Sequence, residues 1–118
     1  MNQREIKFRA WDEKKKAIRD VTGINWYDEY LWVDETPMTG DKLPIESTPL
    51  MQSTGLKDKN GKDIYEGDII KGEHLIGEWV SGVDMLPTGV WFGGARFSEI
   101  KDFEIIGNLY ENPNLLNL

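Results

Sequence analysis

Between Gly55 and Asp63 the chain packs two glycines, three lysines and two aspartates into nine residues, the composition of a loop that could hold phosphate or a hard cation. A phosphate-binding loop needs four residues between its glycines and then Lys-Ser/Thr. Five intervene between Gly55 and Gly61, and Asp63 stands after Lys62 where the magnesium-binding hydroxyl belongs. A carboxylate there would face the phosphate anions. A calcium loop starting at Asp58 fails in register as well, because its glycine falls fourth instead of sixth and Ile69 occupies the twelfth position, where glutamate is required. His74 is the one histidine and there is no cysteine, so an imidazole-based metal site would need three carboxylate or water ligands. Carboxylates such as Glu66 and Asp68 are candidates for general acid–base work only if the fold pairs them in space. With 21 acidic residues in the chain, their presence alone marks no site. The reading is a non-enzymatic protein with no catalytic residue, no cofactor and no metal.

Three groups of side chains suit binding instead. Lys7, Arg9 and Trp11, followed by Lys14, Lys15 and Lys16, interleave bases with an aromatic ring, the minimal chemistry for holding a phosphate backbone while stacking a base. Trp26, Tyr27, Tyr30 and Trp32 are more rings than one face of an alternating strand can bury, and Trp and Tyr are favoured anchors of protein interfaces. Lys57, Asp58, Lys59 and Lys62 decorate a predicted turn where a partner could read them.

The elements that must carry these residues read as β. Ile6 to Trp11 alternates Ile6, Phe8 and Ala10 against Lys7, Arg9 and Trp11, the period of two of a half-buried strand, with Phe8 facing inward and Asp12 to Lys16 as a charged tip. Ala17 to Val21 and Trp26 to Val33 are further strands separated by Gly23-Ile24-Asn25. Glu35 to Pro49 holds three prolines and Gly40 and reads as a loop between two halves. Beyond it, Leu50 to Thr54, Ile64-Tyr65, Asp68 to Lys71, Leu75 to Val80, Val90 to Phe97 and Glu104 to Ile106 are short strands. Turns are expected at Asn60-Gly61 and Glu66-Gly67 and a bend or bulge at Gly93-Gly94, with one helical turn over Ser98 to Asp102 capped by Ser98 and a strand end at Gly107. Gly55, Gly61 and Gly67 recur every six residues, which fits three backbone bends around short extended pieces. Such spacing suits a small barrel or roll. The leucines of Asn114 to Leu118 need burial or a partner.

A chain of 118 residues with 39% apolar and 30% charged side chains has the composition of one soluble globular domain. No apolar run approaches the roughly 18 residues that span a bilayer, and the first residues lack a secretory signal, which predicts a cytoplasmic protein. The absence of cysteine excludes disulfides and thiolate chemistry. Net charge is −7, unevenly spread: residues 1–19 carry seven Lys/Arg against Glu5, Asp12 and Glu13, whereas residues 20–50 carry Lys42 against seven acids. The overall field repels nucleic acid and anionic lipid, and only the N-terminal arm attracts them.

Three blocks resemble the YopX family: REIKFRAWD at 4–12, LMQSTGLKDKNGKDIYEGDII at 50–70 and FEIIGNLYENP at 103–113. They run in order along nearly the whole chain. The resemblance implies a phage or prophage origin, residence in the bacterial host's cytoplasm, and an SH3-type β-roll in residues 50–118 following an N-terminal β-rich part in residues 1–49, together one domain. It implies no activity and no catalytic residues. The expected function is protein interaction or self-assembly as a homo-oligomer, with nucleic-acid binding through the basic arm as the alternative.

Overall fold

The structure, a computed structural model, describes residues 7–34 and 40–116. Ile6, Pro37 and Leu118, on which parts of the reading above rest, lie outside the described residues. Among the described residues the regular elements are eleven strands, all paired antiparallel in two sheets, and three single 3-10 turns, so the protein is mainly β. Neither strand order closes on itself. The chain divides into two compact units between Gln52 and Ser53.

In the first unit β1 (Phe8–Asp12), β2 (Ala17–Asn25), β3 (Tyr30–Val33) and β4 (Asp41–Pro44) pair in sequence, and the start of β5 (Leu50–Lys57) pairs with the other side of β1. Leu31 and Val33 alternate with Tyr30 and Trp32 along β3, and the first pair packs with Ala10 into the core beside Val21, Ile24, Leu43 and Ile45. Two expectations are corrected here. Gly23-Ile24-Asn25 continues β2, and the connection is the four-residue turn from Trp26 to Glu29, so Trp26 and Tyr27 stand on a turn and the strand begins at Tyr30. The proline-containing stretch holds β4 and a 3-10 turn (Ile45–Ser47), because Leu43 supplies an inward side chain whose pairing with Leu31 outweighs the breakers around it.

An ion cluster centred on the buried Arg19 closes this unit. The Arg19 guanidinium donates to Asp34 Oδ2 at 2.5 Å, Asp12 Oδ2 at 2.6 Å and Asp41 Oδ2 at 2.7 Å. Asp12 also accepts the backbone N–H groups of Lys14 and Lys15, at 3.1 and 3.2 Å, which shapes the β1–β2 turn. Burial pushes the Asp12 carboxyl up, but the Lys15 N–H, Arg19 and the Lys14 N–H together outweigh it and hold the group below its usual range.

In the second unit the end of β5 pairs with β6 (Asp63–Tyr65), and β7 (Asp68–His74), β8 (Gly77–Leu86), β9 (Gly89–Phe92), β10 (Ala95–Arg96) and β11 (Lys101–Asn108) form a sheet in the order β10-β9-β8-β7-β11. Ile64, Ile70, Val83, Val90, Phe92, Ala95 and Ile100 make its core, with Phe103 edge-on to Phe92 at 5.1 Å. Gly55, Gly61 and Gly67 have φ of 82°, 82° and 84°, so the six-residue spacing marks three left-handed bends that side chains would strain. Gly72 meets a different demand: a Cβ there would lie 2.4 Å from Cγ2 of Ile100, the residue that leads into β11 beside β7.

Further corrections fall in this unit. Leu75-Ile76 is the two-residue loop of the β7–β8 hairpin, not a strand start. The helical turn is a 3-10 turn at Phe97–Glu99 preceded by Arg96, whose N–H is accepted by Glu99 Oε1 at 2.9 Å, so Ser98 is not the cap. Gly107 lies inside β11 at a register shift and does not end it. A Cβ on Gly107 would lie 2.5 Å from Asn112 Oδ1. Leu116 lies over Gly82 beside Leu109, so part of the C-terminal apolar surface is covered. No helix in the described residues is long and apolar enough to cross a membrane.

Candidate functional site

The β2–β3 hairpin presents Trp26 with 72% and Tyr27 with 95% of their surface exposed. Hairpin turns ordinarily use small polar residues, and nothing in the core requires rings here. The turn is held by its own polar groups: Asn25 Oδ1 accepts from the Asp28 N–H at 2.9 Å, and Asn25 Nδ2 donates to Tyr30 Oη at 3.1 Å. Glu29 closes the turn at φ 58°. On the outer face of β3, Tyr30 and Trp32 stand edge to face at 5.2 Å, and Lys42 from β4 places its ammonium 5.0 and 5.4 Å from the two ring centres. Together with Gly23 to Asn25 the four rings line an open groove of about 560 Å³. All four aromatics singled out from sequence therefore meet on one hairpin. Lys42 was missed because it sits on a short strand inside a proline-punctuated stretch.

The other two groups of residues fare differently. Trp11 is buried and its indole N–H donates to Glu13 Oε2 at 2.6 Å, so it presents no ring to a nucleic-acid base. It was expected outward with Lys7 and Arg9, both of which are half-buried. Lys14, Lys15 and Lys16 form the exposed β1–β2 turn, where Lys15 pairs with Asp41 at 3.1 Å and Lys16 with Glu13. Lys57, Lys59 and Lys62 are exposed, with Lys57 bound to Asp63 at 2.7 Å and Lys59 3.8 Å from Glu104. Asp58 does not belong with them. It is buried, and its carboxylate accepts the N–H groups of Asn60 and Lys62 on Oδ1, both at 2.9 Å, and of Ile105 on Oδ2 at 3.0 Å. His74, expected at the surface, is largely covered, stacked at 5.2 Å on Trp79 with Nε2 3.9 Å from Glu99. Among the described residues, no three of His, Asp and Glu are grouped so as to hold a metal ion.

A scan of family models matches residues 7–117 to the YopX protein family. The chain belongs to the YopX family. Among solved structures it is similar to the crystal structure of protein EF1440 from Enterococcus faecalis, at 27% identity and a TM-score of 0.73, covering 97% of this chain and 99% of that one. No curated protein matches it. In this YopX-family chain the blocks that carry the resemblance contain side chains that tie turns to strands. Asp58 ties the 58–62 turn to β11, and Thr54 Oγ1 donates to Ile64 O at 2.7 Å across the irregular β5–β6 pairing. In the last block Asn108 Oδ1 accepts from Tyr110 and Glu111, while Asn112 Oδ1 accepts from Asn108. The aromatic hairpin lies between the blocks.

Acid sensitivity follows from these anchors. Burial pushes Asp58 up as well, and the N–H groups of Ile105, Lys62 and Asn60 outweigh it, so Asp58 and Asp12 both titrate below 3.8 in the folded state. In that range the unfolded chain binds more protons than the folded one, so stability falls as pH falls. Urea midpoints should be level from pH 7 to about 5 and drop increasingly below about pH 4. A midpoint unchanged at pH 3 would show that neither carboxylate is held as described.

Proposed function

We propose that this YopX-family protein is a non-catalytic interaction module that docks on a protein partner through the β2–β3 aromatic hairpin. The observation that carries the reading is the exposure of Trp26 and Tyr27 on a turn braced by Asn25. Two rings carried on a braced turn offer large contact area, the chemistry of an interface hot spot. The phage or prophage setting implied by the sequence blocks suits such a module, which would act in the host cytoplasm by occupying another protein. The short strands and tight turns of residues 53–118 support reading that unit as an SH3-type β-roll. Nucleic-acid binding has less support, since the ring it needs is buried and Lys15 and Lys16 face acids.

Trp26→Ala combined with Tyr27→Ala should leave the melting temperature within about 2 °C of the parent, as exposed positions do. The same change should weaken association with the partner by about a hundredfold in calorimetry or surface binding, the loss typical of two anchors. Binding that survives the double substitution would remove the hairpin from the interface.

A further inference from the structure

Across β2 and β3, Gly23 stands opposite Trp32 and Asn25 opposite Tyr30, so the groove of the aromatic hairpin sets rings on one strand against small residues on the other. Gly23 has no side chain to fill the space beside the indole. Tyr30 and Trp32 meet at 83°, which gives the groove ring surfaces of two inclinations and no flat platform. Lys42 lies over both rings from β4 and is not one of the groove's walls.

The side-chain polar groups of these walls are mostly donors. Among the described residues the indole N–H groups of Trp26 and Trp32 meet no acceptor, and an indole can only donate. The Tyr30 hydroxyl accepts from Asn25 Nδ2 and keeps its own proton for another group, and the Tyr27 hydroxyl is unengaged. Asn25 Oδ1 already accepts the Asp28 N–H. A ligand that covers the groove must therefore bring acceptors without an equal number of donors, since donors left dry are costly. An α-helix has its inner carbonyls already bonded, and an ordinary extended chain brings one N–H with every carbonyl. Proline keeps the carbonyl and lacks the N–H. A run of prolines also holds the extended polyproline II form, which leaves its carbonyls unbonded and suits grooves lined with aromatic rings. Asp28 and Glu29 stand exposed at the end of the hairpin, in a stretch, residues 20–50, with Lys42 against seven acids. We propose, building on the hairpin as the docking surface, that the groove takes a proline-rich segment of the partner in the polyproline II form, with a basic side chain beside the prolines facing Asp28 and Glu29.

Calorimetric titration of the full chain with an oligoproline of about ten residues, roughly 30 Å long, tests this. Binding should show a dissociation constant on the order of 100 µM, as a short peptide with few anchors gives. An arginine at the end of the probe should bind about fivefold more tightly than a glutamate there, a difference that shrinks in high salt. Trp32→Phe, which keeps a ring and removes the N–H, should weaken binding by about tenfold. Trp26→Ala with Tyr27→Ala should weaken it by about a hundredfold, and a thermal melt of each variant checks folding. No binding of oligoproline at about 1 mM, or binding indifferent to both variants, would overturn the proposal. A glycine-serine peptide, a leucine-rich helical peptide or cellohexaose that bound in place of oligoproline would overturn it as well and assign the groove to that class. If oligoproline fails while a photo-crosslinker at Tyr27 still captures a discrete protein, the proline chemistry falls and the docking surface stands. If both fail, both fall.

Discussion

Asp58→Ala is expected to destabilise the protein by about 2–4 kcal/mol and lower its melting temperature by roughly 10–20 °C. Three backbone N–H groups, of Asn60, Lys62 and Ile105, converge on this one carboxylate. Each is a hydrogen bond to a charged acceptor, the stronger kind, and alanine leaves the donors without it. The shallow position of the turn lets water recover part of the loss, which is why the figure is below the sum of three full bonds. Asp58→Asn should fall between the parent and the alanine variant, because one amide oxygen can accept while the amide NH2 must face a donor. The Trp26→Ala/Tyr27→Ala variant, in contrast, should melt with the parent. A melting temperature for Asp58→Ala within about 3 °C of the parent would show that the 58–62 turn does not depend on this side chain.

Arg19→Met should cost about 2–4 kcal/mol at neutral pH, by removing one partner of the buried Arg19–Asp12 pair. Asp34 and Asp41 are roughly half exposed and can turn to water, whereas Asp12 is buried and stranded. The pH dependence separates this account from simple loss of packing. In the parent, Asp12 is held below 3.8, so acid removes stability. Without the guanidinium, burial acts against fewer stabilising donors, Asp12 takes up its proton at higher pH, and a neutral carboxyl needs no cation. The stability gap between parent and variant should therefore narrow as pH falls from 7 to 4. A gap that stays constant over that range in urea titrations would mean that the lost guanidinium stem, not the unpaired carboxylate, sets the cost.

Much of the fold was legible where backbone geometry is written into residue type. Gly55, Gly61 and Gly67 occupy left-handed conformations that only their spacing announced, and the turns at Asn60-Gly61 and Glu66-Gly67 stand where expected, whereas Gly93-Gly94, read as a bend or bulge within one strand, is the turn that folds β9 back onto β10. Strand ends were harder, since an apolar pair has the same signature in a loop as in a strand: Leu75-Ile76 reads as β, and only the Gly77 that follows hints at a turn. β4 was hidden because two core contacts, Leu43 and Ile45, outweigh local breakers, a tertiary effect that a local pattern does not contain. At the candidate site the aromatic cluster was visible in composition, but its division into two turn rings and two strand rings was not. Asp58 and Trp11 were misplaced for one reason. A polar or amphipathic side chain is assigned outward by default, and both find partners within the fold that make burial favourable.

In the proposed division of labour the matched blocks build the scaffold while the β2–β3 hairpin does the recognising. Photo-crosslinking tests it most directly, with p-benzoylphenylalanine placed at Tyr27 in one chain and at Lys62 in another, both expressed in bacterial cells. The hairpin position should give one discrete adduct, identified by mass spectrometry, that disappears when Trp26 is also replaced by alanine, and the turn position should give none. A discrete adduct from position 62 with none from position 27 would contradict the claim.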